Sequence, residues 1–368
     1  MEKPKILIIG SFPKKNKKVF GGINKSCNIL INSVEFKKYH ILTIDSSLSN
    51  NPTPNILIRI LLASKRFIKF YYYLIFNKPD TILIFCSDGL SAIEKGLMLR
   101  IAKIFNIPSM IFPRAGNLIK QLKKSKIFHF TIKNLFNSSS IFLSQGENWS
   151  KFAQHDLLIA KENIVQISNW SATKDLIEVG KNRKIKDGGT LQILFVGWLE
   201  KEKGVVEILN SLLELSDNDF KFKMFFVGDG SLMRFARNFI SKNELHEFVF
   251  LEGWKNFDEL KELYNLSDIF ILPSWKEGMP NSLIEAIATG LPSIVSSVGV
   301  IPNHLEDNFD TLLIKPKDQP ALLNAIKRML TDVNLRKKIS KNALMTAKSV
   351  FLENKSLTKL TEVIDNLT

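Results

Sequence analysis

The sequence predicts an α/β protein built of two doubly wound parallel-sheet domains that face a cleft. Three observations predict it. Short runs rich in Ile, Leu, Phe and Val recur along the chain, separated by stretches with helical spacing. This is the pattern of buried parallel strands joined by crossover helices. The chain has 368 residues, enough for two domains at roughly 150 residues each. A polar, charged stretch, 171–190, ends in Lys186-Asp187-Gly188-Gly189-Thr190 and separates two such series; it is the expected linker.

In the first series, 1–170, Lys5-Ile6-Leu7-Ile8-Ile9 is a strand closed by Gly10. A Lys-rich loop (Lys14, Lys15, Lys17, Lys18) and Gly21-Gly22 lead into a helix over 23–34. Strands at 39–44 and 80–85 flank a long basic-aromatic helix over 56–76, and further strands are expected at 109–112, 140–143 and 164–167. In the second series, 191–345, strands are expected at 191–196, 222–227, 248–251, 269–272 and 292–295, with helices at 205–215 and 232–242. From 321 onward the pattern is mostly helical. In open parallel sheets, ligands sit beyond the carboxyl ends of the strands, so the loops after strands carry the informative residues.

Composition narrows the class. The hydrophobic fraction is 45% and the charged fraction 24%, values of an ordinary globular chain. Two cysteines, Cys27 and Cys86, exclude a disulfide scaffold and point to a reducing, cytoplasmic compartment. No leader pattern is visible, and the apolar stretch 56–76 is broken by Arg59, Lys65, Arg66 and Lys69, which excludes it as a membrane span. The net charge is +15, and residues 1–180 hold all of it: 26 basic against 11 acidic residues, leaving 25 of each in the rest. Such asymmetry implies an anionic partner for the first half, whether nucleic acid, a membrane surface or a phosphorylated substrate.

The strongest motif is the run Pro273 to Pro292, with Glu277, Gly278, Met279, Pro280 and then a helix starting near Asn281 or Ser282, either of which is a natural N-cap. A helix start at the end of a strand is a ready anion site, because its unpaired N–H groups and dipole face outward. Glu277 precedes the helix and Glu285 falls inside it, amid Leu283-Ile284 and Ala286-Ile287-Ala288. A carboxylate in such apolar company needs a partner, such as ligand hydroxyls.

Glu277-x7-Glu285, set in Pro-Ser-x-x-Glu-Gly-x-Pro-x-x-x-x-Glu-Ala-x-Ala-x-Gly-x-Pro, resembles the signature of family-4 retaining glycosyltransferases of the GT-B fold. The resemblance extends over essentially the whole chain, specific in the second half and loose in the first. It implies two Rossmann-like domains, a nucleotide-sugar donor bound mainly by the second, and a helix over 346–368 crossing back to the first. It assigns Glu277 to hydroxyls of the donor sugar, Glu285 to the ribose, and the backbone at Gly278 and 279–283 (Met279, Pro280, Asn281, Ser282, Leu283), through the N–H groups of its non-proline residues, to sugar and phosphate. The segment 195–204, ending in Lys203-Gly204, is similar to the family's strand-loop element, so Lys203 is the expected diphosphate cation. The family commonly has arginine where this chain has Trp198.

Gly228-Asp229-Gly230-Ser231 and Gly253-Trp254 follow the next two strands. The first is a donor-facing loop or a plain tight turn; Trp254 is a base-stacking surface or a core tryptophan. The resemblance also places Gly21 and Gly22 beside the diphosphate and sugar. At the first-domain position where many members carry a histidine, this chain has Pro113-Arg114-Ala115-Gly116-Asn117. Arg114 either binds donor or acceptor phosphate or forms a structural ion pair; Asp88 is a further acceptor-side candidate. The five histidines show no metal or triad spacing, and no metal or cofactor beyond the nucleotide sugar is expected.

The basic stretches 59–76 and 118–130 are membrane-surface helices or core aromatics with solvated lysines. Together with the resemblance they point to an acceptor in the inner membrane leaflet, such as a polyprenyl-diphosphate-linked oligosaccharide, with peripheral membrane contact through the first domain. The expected activity is that of a retaining, hexosyl-type glycosyltransferase of cell-envelope polysaccharide biosynthesis, with UDP as the prior donor nucleotide. The alternatives are an epimerase of the same fold and a non-enzymatic binder of anionic surfaces or nucleic acid through the basic first half. No nucleic-acid module is recognisable, and Gly10 is not followed by the Gly-x-Gly-x-x-Gly spacing of a dehydrogenase.

Overall fold

The apolar runs are strands because both of their faces are covered. In β1 (Lys5–Gly10) every residue from Ile6 onward is buried. The computed structural model describes residues 3–12, 21–47, 55–114, 116–218 and 220–368; the Lys-rich loop of Lys14, Lys15, Lys17 and Lys18, and Ala115, lie outside them. The first unit continues with α1 (Gly22–Asn32), β2 (His40–Asp45), α2 (Ile56–Tyr72), β3 (Thr81–Cys86), α3 (Leu90–Ile104) and β4 (Ser109–Pro113). It is completed by α4 (Leu118–Lys124), α5 (Lys126–Phe136), β5 (Ile141–Ser144), α6 (Glu147–His155) and β6 (Ile164–Gln166). Its six strands lie in the order β2-β1-β3-β4-β5-β6, and all are parallel.

The second unit holds α7 (Lys174–Lys181), β7 (Leu191–Val196), α8 (Val205–Ser216), β8 (Phe222–Val227), α9 (Met233–Lys242), β9 (Val249–Gly253), α10 (Phe257–Leu266) and β10 (Ile269–Leu272). Then come α11 (Asn281–Ala288), β11 (Ser293–Ser296), β12 (Leu312–Ile314), α12 (Gln319–Thr331) and α13 (Val333–Val350). Its sheet is again parallel, in the order β12-β11-β10-β7-β8-β9.

The units are residues 1–171 with 353–368, and residues 172–352. Two expectations change. The stretch 171–190 is not a free linker: it contains α7, which buries Leu176, Ile177 and Gly180. Arg183 then donates to the carbonyls of Thr289, Ser267 and Tyr264. The expected tail helix over 346–368 is instead split, α13 running to Val350 and α14 (Glu353–Asp365) belonging to the first unit. There Leu357, Leu360 and Ile364 share one buried cluster with Ile6, Ile8, Leu30 and Phe36. Tyr39 Oη donates to Asp365 Oδ1 at 2.6 Å and Lys38 pairs with the same carboxylate.

The basic-aromatic helix is mostly uncovered. α2 buries Phe70 alone, and leaves Ile56, Leu57, Ile58, Ile60, Leu61 and Ile68 exposed. The second basic stretch breaks at Ser125, whose hydroxyl caps α5 by accepting from Phe128 N–H. Among the described residues no helix is long and apolar enough to cross a membrane.

Candidate functional site

In the second sheet the strand order reverses between the neighbouring parallel strands β7 and β10. Loops leaving such a switch point open a crevice, the usual ligand position of doubly wound sheets. The loop after β7 carries a short turn, Lys201–Lys203, closed by Gly204 at φ +76°. Only glycine fits here, since an added Cβ would lie 2.4 Å from the Pro273 carbonyl oxygen beyond β10. This approach sets Lys203 Nζ 2.5 Å from Glu277 Oε1. Two further links hold the loops together: Trp275 N–H donates to Glu202 O at 2.8 Å, and Lys276 pairs with the Glu202 carboxylate at 2.6 Å.

α11 starts beside this pair. Its N-cap is Pro280, and no side chain caps it. The expected cap at Asn281 or Ser282 is therefore corrected: the backbone is still extended at Pro280 (φ −72°, ψ 129°) and turns helical at Asn281, which is buried. Gly278 lies in the turn between Glu277 and α11, Met279 is buried, Ser282 is half-buried and Leu283 is core.

Glu285 is 3% exposed. Its carboxylate has a partner that the sequence does not reveal: Tyr264 Oη, from α10, donates to Oε2 at 3.1 Å. The expected need for a partner is thus met, at least in part, within the chain. Burial, and then Glu285, push the Tyr264 phenol well above its ordinary range.

Beyond β7 and β9, Trp198 and Trp254 meet edge to face, with centroids 4.7 Å apart at 79°. Both are half-buried, so Trp254 is neither a core residue nor isolated. Gly228 ends β8 between them in the chain. Its N–H donates to Gly253 O at 2.8 Å, and Ser231 N–H donates to Glu200 Oε1 at 3.0 Å, fixing the loop.

The first unit supplies the other candidates. Arg114 follows β4; its Nη2 donates to Ser26 Oγ at 2.8 Å and its guanidinium lies 5.0 Å and 5.3 Å from the ring centroids of Phe112 and Trp170. Burial pulls its pKa down to about 10. Among the described residues no carboxylate pairs with it, and its buried Nη1 has no hydrogen-bond partner there. Gly21 and Gly22 open α1 and line a cavity of this unit, and Asp88 stands in the turn between β3 and α3. Within the second unit the structure brings together Lys203 with Glu277 and Trp198 with Trp254. Arg114, Gly21 and Gly22 belong to the other unit.

Sequence reasoning missed Tyr264 and Glu207. Tyr264 is a polar-tipped aromatic in an otherwise ordinary amphipathic helix, and only its fold partner marks it. Glu207 accepts from Trp275 Nε1 at 2.8 Å, orienting the residue two before Glu277.

Comparison with known proteins gives the class. The sucrose-phosphate synthase of Thermosynechococcus elongatus superposes with a TM-score of 0.78 at 16% identity over 99% of both chains; the fold is GT-B. Residues 178–345 match the family model of glycosyl transferases group 1. The matched segment lies in the second unit, and over it the chain is similar to these glycosyltransferases. It is 26% identical over 332 residues, 88% of each chain, to an uncharacterized glycosyltransferase of Methanocaldococcus jannaschii. Over 122 residues, 32% of this chain and 31% of the relative, it is 35% identical to the UDP-Gal:alpha-D-GlcNAc-diphosphoundecaprenol alpha-1,3-galactosyltransferase of Escherichia coli.

Proposed function

We propose that this glycosyltransferase moves a hexose from a UDP-sugar to a hydroxyl of a lipid-linked glycan, with retention at the anomeric carbon, in cell-envelope polysaccharide biosynthesis. The observation that carries the reading is the Lys203–Glu277 pair at the switch point of the second sheet, beside the uncapped start of α11. A cation and a helix N-terminus at one spot suit a diphosphate; the adjoining carboxylate suits sugar hydroxyls. The relative from Escherichia coli, named for a UDP-Gal donor and a diphosphoundecaprenol acceptor, supports the choice of nucleotide and acceptor.

In this reading Lys203 neutralises the diphosphate, and the backbone N–H groups of Gly278, Met279, Asn281, Ser282 and Leu283 donate to it or to the sugar. Glu277 accepts from a donor-sugar hydroxyl, and Glu285, held by Tyr264, accepts from a ribose hydroxyl. Trp198 and Trp254 form the base-side wall, and the Gly228 loop supports it. Arg114, with Gly21 and Gly22, serves phosphate in the first unit. The acceptor oxygen bonds to the anomeric carbon on the face from which UDP departs. The bond to the β-phosphate oxygen breaks, and that oxygen takes the acceptor's proton. Catalysis then rests on positioning and on stabilising the leaving diphosphate. Peripheral contact of the first unit with an anionic leaflet would present such an acceptor.

The test is turnover of UDP-hexoses with a polyprenyl-diphosphate-linked sugar, reading UDP release and the anomeric proton coupling of the product. An α-linked product from an α-donor is expected. Inversion, or interconversion of the donor sugar without acceptor, would refute the reading.

A further inference from the structure

The first sheet has its own switch point, between β1 and β3, and a cavity of about 510 Å³ lies there, within the roughly 300–1,000 Å³ of small-molecule sites. It is lined by loop residues after β1, β2 and β3 and by the facing sides of α2 and α3. Two chemistries meet in it. Ile56, Ile60, Phe67, Leu90, Ile93 and Leu97 give an apolar wall. Four of these are still 51%, 55%, 50% and 43% exposed (Ile56, Ile60, Leu90 and Leu97), so the wall is open to a further apolar group.

The charged lining is unbalanced. Among its described residues Arg59, Arg66 and Lys95 are basic and Glu94 alone is acidic. Arg66 grips Glu94 with both arms, Nε to Oε1 at 2.6 Å and Nη2 to Oε2 at 2.8 Å. Lys95, 2% exposed, must share Oε1 at 3.0 Å. Two cationic side chains share one carboxylate, and burial, with Arg66 alongside, pulls the Lys95 pKa down; an added anion at this spot would favour the charged ammonium. The starts of α1 (Gly21 to Asn24) and α3 (Leu90, Ser91) line the same cavity, and both helices lack a side-chain cap and a first-turn acid. Their dipoles add to the preference for negative charge.

We propose that this cavity binds one amphiphile in which a phosphate is joined to a hydrocarbon chain, the lipid-borne end of the acceptor. The phosphate completes the Arg66–Glu94–Lys95 cluster, and the chain covers the wall between α2 and α3. The inference rests on the acceptor reading above and gives it a location.

The probe is n-dodecyl phosphate, kept monomeric below its micelle concentration and titrated into the full chain by calorimetry, with n-dodecanol and inorganic phosphate as half-probes. One-to-one binding is expected, each half-probe being at least about tenfold weaker. Ala63→Trp, which fills the cavity from the exposed helix α2, should weaken dodecyl phosphate at least about tenfold without changing the melting temperature. Arg59→Glu, on the same helix, should weaken it too. Equal binding of dodecanol, or binding indifferent to Ala63→Trp, would overturn the proposal. So would binding only to phosphatidylglycerol-containing vesicles, which would assign the ligand to the outer face of α2. The titration uses neither donor nor turnover. A failed UDP titration would therefore sink the donor reading alone, and failure of the amphiphile to bind would sink this one alone.

Discussion

Replacing Lys203 by methionine removes the cation assigned to the diphosphate while keeping most of the stem's volume. In the free protein its ammonium is 2.5 Å from Glu277 Oε1, with the side chains 26% and 10% exposed. A charge-assisted hydrogen bond in such a setting is worth about 1.5–3 kcal/mol. For a ligand diphosphate that is a loss of roughly 10- to 150-fold in affinity at about 1.4 kcal/mol per tenfold. Glu277→Gln has the opposite signature. It frees Lys203 from its carboxylate, so UDP should bind as tightly as to wild type or tighter, whereas a UDP-hexose should lose the contact to its sugar. The assay is calorimetric titration of both variants with UDP and with UDP-glucose. Lys203→Met also leaves Glu277 without its cation, and a loss of about 1–3 kcal/mol, at about 2–4 °C per kcal/mol, lowers the melting temperature by several degrees. Titrations therefore belong well below the transition. Lys203→Met binding UDP within about threefold of wild type would refute the reasoning, as would Glu277→Gln losing UDP and UDP-glucose equally.

Two further outcomes follow from the structure. Gly228 has φ +133°, and a Cβ there would lie 1.9 Å from Gly197 O. Gly228→Ala should cost at least about 3 kcal/mol in strain and overlap, a melting shift of roughly 6–12 °C by calorimetry; a shift under about 2 °C would contradict the backbone geometry. Burial pushes the Cys27 and Cys86 thiols up to about 12 from 9.0. Unfolded thiols ionise near 9 while the buried ones stay neutral to about 12. Their contribution is thus complete below the lower value and lost as pH rises toward the upper one. Urea unfolding at pH 8 and 10.5 should show the fall, and it should be smaller in the Cys27→Ala, Cys86→Ala double variant.

The strands were legible because parallel strands are buried on both faces and leave unbroken apolar runs; β1, β3 and β10 all read this way. Lys203 and Glu277 were legible separately, each by its place after a strand. Their pairing across 74 residues was not, because it depends on which strands are neighbours. The bond between Tyr264 and Glu285, on different helices, was hidden for the same reason. The stretch 171–190 looked like a linker because α7 is short and its anchor, Arg183, spends its donors on carbonyls 81 to 106 residues away. For α2 the sequence left two readings open. Its aromatic and aliphatic residues suit a core equally well, and only the fold reveals that Phe70 alone among them is buried.

The return of α14 to the first unit makes biosynthesis asymmetric. Tyr39 and Asp365, which bond to each other, are 326 residues apart. At about 5–20 residues per second, the ribosome takes on the order of 15–65 s to travel between them. During that interval the β1 side of the sheet lacks Leu357, Leu360 and Ile364, while the continuous segment 172–352 is made in full. The half synthesised first is therefore the half that finishes folding last, and a nascent chain stalled before α14 carries an open core for a chaperone to hold.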